Sequence, residues 1–220
     1  MLLVIMGAQG TGKGTVSGIL CDELGIMQLS TGDIFRKNIK EQTKLGIEAD
    51  KYISQGQLVP DEITVPMVAE ALDSDEAKAG VILDGFPRTT EQAKQLDEML
   101  KQRNKKIDMV INLISPREEI IDRMITRRVC PNCKATYNIK INKPKVEGIC
   151  DKCGNELTQR EDDKSEEAIN NRLEIYDTQT APVLKYYEEK GIVQNEEITI
   201  SKNRMANEAA KDIIEILNTK

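Results

Sequence analysis

The chain has 220 residues, of which 39% are hydrophobic, so it is long enough to bury a core within one α/β domain carrying insertions. Its net charge of −6 disfavours a general nucleic-acid binder, and the absence of histidine excludes an imidazole base, nucleophile or metal ligand. With no run of membrane-spanning length and no secretory signal, we expect a protein of the reducing cytoplasm with no membrane or nucleic-acid partner.

Apolar runs alternate with helical patterns along most of the chain. We expect strands at residues 2–6, 81–83, 109–114 and 191–194. Helical patterns occupy residues 13–24, 61–72, 89–101, 116–125, 165–189 and 206–217. This alternation predicts an α/β fold in three layers, with a central parallel sheet covered on both faces.

Two helix starts carry capping sequences. Ser115, followed by Pro116 and Glu118, predicts an N-cap, a proline at the first helical position and a capping box. Asp163 with Glu166 predicts a similar cap for the long acidic helix. Residues 130–158 break the alternation and predict an inserted subdomain.

The first chemical motif follows the first predicted strand and opens a helix. It reads Gly-Ala-Gln-Gly-Thr-Gly-Lys-Gly-Thr over residues 7–15. Glycines allow several backbone N–H groups to point at one anion, the helix N-terminus adds partial positive charge, and Lys13 can reach the outer phosphates. The pattern predicts a phosphate-binding loop, the alternative being a glycine-rich turn without a ligand.

This loop resembles that of adenylate and related nucleoside monophosphate kinases, with Gln9 where the family usually has proline, a change expected to affect loop stiffness more than activity. The resemblance implies a P-loop core at residues 1–29, 60–126 and 160–220. It also implies a helical monophosphate-binding insertion at 30–59 and a β lid at 127–159. ATP would be bound by Gly10, Thr11, Gly12, Lys13, Gly14 and Thr15.

Three further segments match the family in order and spacing: residues 29–36, 56–61 and 83–88. The resemblance implies AMP contacts at Thr31, Arg36, Gln57, Leu58, Val59, Gly85, Phe86, Pro87, Arg88, Gln92, Arg160 and Arg172. Arg88 can fork onto a phosphate, and Asp84 at the end of a core strand can organise the waters of a magnesium ion. The plainer alternatives are a turn aspartate and a solvated arginine.

Gln92 has two interpretations. Thr89 and Gln92 form a good capping box, so the glutamine could serve only the helix start. By resemblance, its amide would instead pair with the adenine edge, for which it offers both a donor and an acceptor.

Four cysteines form the second strong motif. Cys130 and Cys133 are separated by sixteen residues from Cys150 and Cys153, and two C-x2-C pairs at this distance indicate a structural zinc site. Four sulfur ligands leave no open position for catalysis. Two disulfides or an iron–sulfur cluster are the alternatives. Cys21 lies apart and is expected to be a small buried apolar residue.

Arginines flank the cysteine segment, and here the sequence resembles the long-lid adenylate kinases that carry four zinc-binding cysteines. The resemblance implies that Arg123 and Arg127 contact ATP phosphates, that Thr136 and Tyr137 lie over ATP, and that Arg160 and Arg172 contact the phosphates of both nucleotides. Tyr137 could equally belong to the lid core, and Arg117 and Arg128 are expected to be surface charges.

Two departures from the family pattern lie near the C-terminus. The stretch between Arg160 and Arg172 is one residue longer than usual, and a surplus residue inside the helix would rotate Arg172 by about 100°. Residues 199–203 lack the familiar Asp-Gly signature, so no adenine contact is assigned there.

The resemblance implies a monomeric adenylate kinase that converts ATP and AMP into two ADP with magnesium. Phosphoryl transfer needs positioning and charge neutralisation more than a protein nucleophile. The expected catalytic residues are Lys13, Asp84, Arg88, Arg123, Arg127, Arg160 and Arg172. A kinase of UMP or CMP, a kinase using GTP, or a non-enzymatic zinc-ribbon module are the alternatives.

Overall fold

The computed structural model describes residues 1–199 and 204–219, so most of the loop without an assigned adenine contact lies outside the described residues. The strands are β1 (Leu2–Met6), β2 (Met27–Ser30), β3 (Val81–Asp84), β4 (Met109–Ile114), β5 (Arg127–Val129), β6 (Thr136–Asn138) and β7 (Val193–Glu197). The helices are α1 (Lys13–Leu24), α2 (Thr31–Lys40), α3 (Lys44–Ile53), α4 (Asp61–Leu72), α5 (Thr90–Gln102), α6 (Arg117–Ile125), α7 (Glu166–Ile175), α8 (Ala181–Glu188) and α9 (Ala206–Asn218).

Five strands form a parallel sheet in the order β2-β3-β1-β4-β7. The central strand β1 is buried throughout, and its side chains alternate between the two faces. Leu2, Val4 and Met6 join the core beneath α4, α5 and α8. Leu3 and Ile5 join the core beneath α1 and α9. The predicted three-layer α/β fold is therefore confirmed.

Most predicted elements lie where the sequence placed them, but several bounds differ. The last strand begins at Val193 and not at residue 191, after a turn at Gly191 with φ 68°. The single helix expected over 165–189 is divided by a π-helical turn at Tyr176–Thr180. The short, half-buried strand β2 was not predicted, because its sequence Met-Gln-Leu-Ser lacks the apolar run of a central strand.

Both capping predictions at α6 and α7 are wrong. Pro116 is the N-cap of α6, whereas the Ser115 hydroxyl donates to the carbonyl of Ile198 at 2.5 Å. Ser165 caps α7, its hydroxyl accepting from the N–H of Ala168 at 3.1 Å. Asp163 is fully buried in ion pairs instead. In each case a tertiary partner outweighs the local cap.

Two segments outside the sheet have small cores of their own. Helices α2 and α3 pack with the residues that follow them around Phe35, Ala49 and Val59. The antiparallel pair β5–β6 belongs to a segment whose buried residues are Cys130, Tyr137 and Cys150. Among the described residues, no helix combines the length and apolarity needed to cross a membrane.

Candidate active site

A cavity of about 820 Å³ opens at the carboxyl ends of the central strands, where parallel sheets place their ligands. Its walls come from the sheet, from the α2 segment and from the β5–β6 segment. The sequence-predicted residues that line it are Gly10, Gly12, Lys13, Gly14, Thr15, Arg36, Leu58, Asp84, Gly85, Pro87, Arg88, Arg123, Arg127, Thr136, Tyr137, Arg160 and Arg172. One cavity thus brings together predicted contacts for both nucleotides.

Six predicted nucleotide contacts are not on the cavity lining. Thr11, Thr31, Val59, Phe86 and Gln92 are buried behind it, and Gln57 is exposed away from it. Two of these buried residues hydrogen-bond to the backbone near the cavity. The Thr11 hydroxyl donates to the carbonyl of Ala8 at 2.8 Å, and the Thr31 hydroxyl donates to the carbonyl of Gly85 at 2.9 Å.

The phosphate loop is pressed against β4 and α6, which explains two of its glycines. Gly7 has φ 133°, and a Cβ there would lie 2.5 Å from the carbonyl oxygen of Leu113. Gly10 has φ 86°, and its Cβ would lie 2.9 Å from the carbonyl oxygen of Ile120. A side chain at either position would push the loop out of place. The loop leads directly into α1, whose first N–H groups form a partly positive end.

Lys13 is held at the mouth of this loop. Its Nζ donates to the carbonyls of Gly7 and Ala8, both at 2.8 Å. Burial lowers the pKa of Lys13 to about 8, and the nearby Arg88 adds to the lowering while Asp84 opposes it. An anion at this position would favour the charged ammonium and restore the pKa.

Asp84 ends β3 beside the last residues of β1. One of its carboxylate oxygens accepts from Nε2 of Gln28 at 3.1 Å, a partner on β2 that the sequence reasoning missed. The next residue, Gly85, has φ 81°, and its carbonyl accepts from Nε of Arg88 at 2.8 Å. The positive φ of Gly85 favours glycine, and a Cβ there would lie 2.8 Å from Oγ1 of Thr31 and 2.9 Å from Nη2 of Arg88, so both side chains would have to shift.

Four of the cavity arginines are paired with carboxylates, the first being Arg36 with Asp33 at 2.6 Å. Arg127 donates two parallel bonds of 2.7 Å to Asp163, whose side chain is 0% exposed. Arg172 contacts the same Asp163 at 3.1 Å and Asp162 at 3.0 Å. Arg123 pairs with Glu119 at 2.9 Å. Because Arg172 shares Asp163 with Arg127, it lies in the cavity cluster despite the longer spacing from Arg160.

Three other cations of the cavity are not paired: Lys13, Arg88 and Arg160. Within residues 1–199 and 204–219, none of them has a carboxylate at ion-pair distance. Burial lowers the pKa of Arg88 to about 10, with a further lowering from Arg172. Burial likewise lowers the pKa of Arg160 to about 10, assisted by Arg127. A chain of net charge −6 therefore concentrates uncompensated positive charge in one cavity, which suits a polyanionic ligand.

Gln92 uses both ends of its amide within the protein. Its Oε1 accepts from the N–H of Arg88 at 2.7 Å, and its Nε2 donates to Asp61 at 2.6 Å. Thr89 caps α5 by accepting from the N–H of Gln92 at 3.1 Å. The capping-box bond from Gln92 therefore goes to Arg88 and not to Thr89, and the residue braces the turn that carries Arg88.

Gln9 also lines the cavity, at the loop position where the resemblance expects proline. Its Oε1 is buried and has no hydrogen-bond partner among the described residues. A buried acceptor without a donor is costly, and among the described residues only the side chains of Ser17 and Tyr187 share this state.

The four predicted metal ligands lie together. Their sulfur atoms are all within 4.8 Å of one another, with Cys130 to Cys153 and Cys133 to Cys150 both at 3.4 Å. These distances are too long for disulfides, and all four thiols are free. A tetrahedral ion with bonds of about 2.3 Å separates its sulfurs by roughly 3.8 Å, so the group could hold a metal ion.

Tyr137 connects this cluster to the cavity. It is 6% exposed, its hydroxyl accepts from the N–H of Asp151 at 2.8 Å, and the same oxygen lies 3.5 Å from Sγ of Cys150. The residue therefore belongs to the core of the cysteine segment while lining the cavity. Arg117 and Arg128 are outside the lining, with Arg117 paired at the surface to Asp177 at 3.1 Å.

Comparison with known proteins identifies the family. A family model described as adenylate kinase matches residues 5–192. An adenylate kinase from Clostridium botulinum is 49% identical over 205 residues, covering 93% of this chain and 94% of the relative. The chain belongs to the adenylate kinase family. Another member, from Carboxydothermus hydrogenoformans, is 50% identical over 195 residues, covering 89% of this chain and 91% of the relative.

For an adenylate kinase, the arrangement has a direct chemical meaning. Members of this family are phosphotransferases acting on ATP, AMP and ADP. Such a reaction needs a phosphate cradle and cations around one water-excluding space, and the cavity offers both. Sequence reasoning missed the carboxylates Asp163 and Glu119, which pair with three of these cations. The adjacent acids Asp162 and Asp163, next to Arg160, were the only signal for the first of them.

Proposed function

We propose that this adenylate kinase transfers the terminal phosphoryl group of ATP reversibly to AMP, giving two ADP. One observation carries the proposal: the amide cradle with Lys13 and the unpaired cations Arg88 and Arg160 line a single cavity. Two phosphate groups of different nucleotides can meet there, and the cations between them would stabilise the charge on the migrating group.

The residues divide between the two substrates. The loop residues 10–15 with Arg123, Arg127, Thr136 and Tyr137 would hold ATP. Arg36, Leu58, Gly85, Pro87 and Arg88 would hold AMP from the opposite wall, and Arg160 with Arg172 would contact the phosphates of both. Of the buried candidates, Thr31 would act by fixing Gly85, and Gln92 would reach adenine only after exchanging its bond to Asp61.

The chemistry requires no protein nucleophile, because an oxygen of the AMP phosphate attacks the terminal phosphorus of ATP and ADP leaves. Lys13 and the unpaired arginines Arg88 and Arg160 would neutralise the oxygens of the transferred group. A bound magnesium ion would supply further charge neutralisation on ATP, and Asp84 is the carboxylate placed to organise its waters. Gln28 orients that carboxylate through its bond of 3.1 Å.

We further propose a division into a core (1–29, 60–126 and 160–220), a monophosphate-binding segment (30–59) and a lid (127–159). Closure of the last two over bound nucleotides would exclude water and suppress hydrolysis of ATP. The small cores around Phe35 and around Cys130 support this division, although Ile63 and Met67 of α4 also pack against the first of them.

The ion at the four cysteines is proposed to be Zn²⁺ in a structural role. Four sulfur donors at tetrahedral spacing suit this ion, and no ligand position remains for substrate. A monomeric state and a cytoplasmic location are proposed from the resemblance and from the use of free thiols.

A coupled assay of ADP formation from ATP and AMP with magnesium tests the function. Lys13→Ala should lower kcat by about 10²–10³-fold, because it removes a cation that stabilises the transferred group. Lys101→Ala is the matched control, since that lysine is 80% exposed on α5. Faster turnover with UMP or CMP than with AMP, or with GTP than with ATP, would contradict the substrate assignment.

A further inference from the structure

Glu119 joins two distant parts of the chain at one end of the cavity. On α6, its Oε2 accepts from Nη2 of Arg123 at 2.9 Å. Its Oε1 accepts from the hydroxyl of Thr199 at 2.7 Å, a contact across 80 positions of sequence. The Glu119 carboxylate thus binds both Arg123 in the cavity wall and Thr199, which lies just after β7.

A second set of bonds reinforces the same junction. The Ser115 hydroxyl donates to the carbonyl of Ile198 at 2.5 Å and accepts from Nη1 of Arg123 at 3.1 Å. The side chains of Glu119 and Arg123 are only 17% and 11% exposed, and Thr199 is fully buried. Because water has little access to these charge-assisted bonds, they hold the side chains of Glu119 and Arg123 in place more strongly than exposed bonds would.

The junction lies beside the phosphate loop. A Cβ on Gly12 would meet Cδ1 of Ile198 at 3.5 Å, so the segment after β7 packs directly on the loop. Arg123, Ile198 and Met205 all line the cavity, as do Arg36 and Leu58, which come from the separate segment of α2 and α3. A movement of the Glu119 carboxylate would therefore act first on the part of the wall formed by Arg123 and Ile198.

We propose that Glu119 is a positioning residue for the donor nucleotide. It fixes the guanidinium of Arg123 and the segment at Ile198, and so shapes the site that receives ATP. Because Glu119 cancels the charge of Arg123, that arginine serves the shape and polarity of this wall more than the neutralisation of phosphate. The assignment of ATP to this end rests on the proposed function.

Replacement by glutamine separates position from bulk. Glu119→Gln keeps the size and one acceptor oxygen but removes the negative charge, so Thr199 can remain bonded while the tie to Arg123 weakens. Glu118→Gln is the matched control, because Glu118 is the preceding residue of the same helix and is exposed. Thr199→Val provides an independent removal of the other bond without changing Glu119.

Steady-state kinetics with each substrate varied in turn provide the test, with thermal melting confirming that the variants fold. For Glu119→Gln, KM for ATP should rise roughly tenfold, as expected for a weakened charge-assisted bond, while KM for AMP stays within about twofold of wild type. Thr199→Val should shift KM for ATP in the same direction by less, and Glu118→Gln should match wild type.

Equal KM for ATP in Glu119→Gln and Glu118→Gln would overturn the proposal, as would an equal rise in KM for both substrates. Failure of the proposed function is distinguishable, because the wild-type protein itself would then form no ADP from ATP and AMP. If Glu119→Gln fails to melt cooperatively, Thr199→Val decides. A rise in KM for ATP alone would support the proposal, and an unchanged KM for ATP or an equal rise for both substrates would overturn it.

Discussion

Lys13 carries its charge at a cost that a phosphate ligand removes. Its pKa is lowered to about 8 by burial, from an ordinary value of 10.5. The ammonium is therefore less stable in the folded chain than in the unfolded chain, and the resulting loss of stability is present below pH 8. It is relieved as the pH rises from about 8 towards 10.5, where both states become neutral.

The affinity for a phosphate ligand should change with pH in the opposite direction to the stability. A bound polyphosphate raises the pKa of Lys13, so its affinity should fall as the pH rises through about 8. Calorimetric titration with tripolyphosphate between pH 7.5 and 9.5 should show this weakening in wild type and a flatter profile in Lys13→Met. Ionisation of the ligand affects both proteins alike, so the difference between the two profiles isolates the lysine. Parallel profiles for the two proteins would contradict the assignment.

Asp163 is the residue on which two cavity arginines depend. Its carboxylate is 0% exposed and is shared by Arg127 and Arg172. Asp163→Asn should lower the free energy of unfolding by about 3 kcal/mol, because it leaves buried guanidinium groups short of a counter-charge. Urea denaturation measures this.

The surface pair of Arg117 with Asp177 provides the control for that prediction. Its side chains are 52% and 59% exposed, so Asp177→Asn should change stability by less than about 1 kcal/mol. Equal effects of the two substitutions would show that Asp163 is not the buried anchor that its contacts indicate.

At the scale of elements, the cysteine segment has little apolar material to hold it together. Its buried residues are Cys130, Tyr137 and Cys150, with Ala135 and Leu157 packed against them. So small a core does not stabilise a segment of this length, and metal ligation would supply the missing free energy.

Removal of the metal should therefore destabilise this segment first. Chelation, or Cys153→Ala, is expected to lower the melting temperature by several degrees while the core retains its helices and sheet. Calorimetry with and without chelator measures the change, and Cys21→Ala, which leaves the cluster intact, should respond to chelator as wild type does. An unchanged melting temperature in metal-free protein would contradict a structural metal.

The elements also show what sequence patterns can and cannot predict. Strands β1 and β4 were predicted with their bounds because each is a mainly apolar run buried on both faces, apart from the polar Asn112 within β4 and the exposed Ile114 at its end. The caps at Ser115 and Asp163 were predicted wrongly because their partners, Ile198 and Arg127, are distant in sequence. Local patterns carry no information about such tertiary bonds.

The same limit holds for the site at the scale of the molecule. The phosphate loop and the cysteine pairs are local motifs, so their residues could be named from the sequence. The pairing of cavity arginines with Asp163 and Glu119 depends on how α6, α7 and the end of β7 pack together. The spacing of residues along the sequence does not predict this packing. The placement of Arg172 after a longer connection likewise needed the structure.

As a whole, the molecule is acidic outside and cationic inside one cavity. Its net charge of −6 repels nucleotides at long range, whereas Lys13, Arg88 and Arg160 attract phosphate at short range. Salt weakens the long-range repulsion more than the short-range attraction, because exposed charges are screened more than buried ones. A ligand with several phosphates should therefore be favoured over one with a single phosphate, because the three cations line the same cavity.

One cavity is proposed to hold two nucleotides end to end. Isothermal titration of the chain with a bisubstrate compound, two adenosines joined through five phosphates, measures this. We expect one molecule bound per chain, far more tightly than ATP or AMP alone, and displacement of both by the same compound. Affinity no higher than that of ATP, or binding that leaves the AMP site accessible, would contradict it.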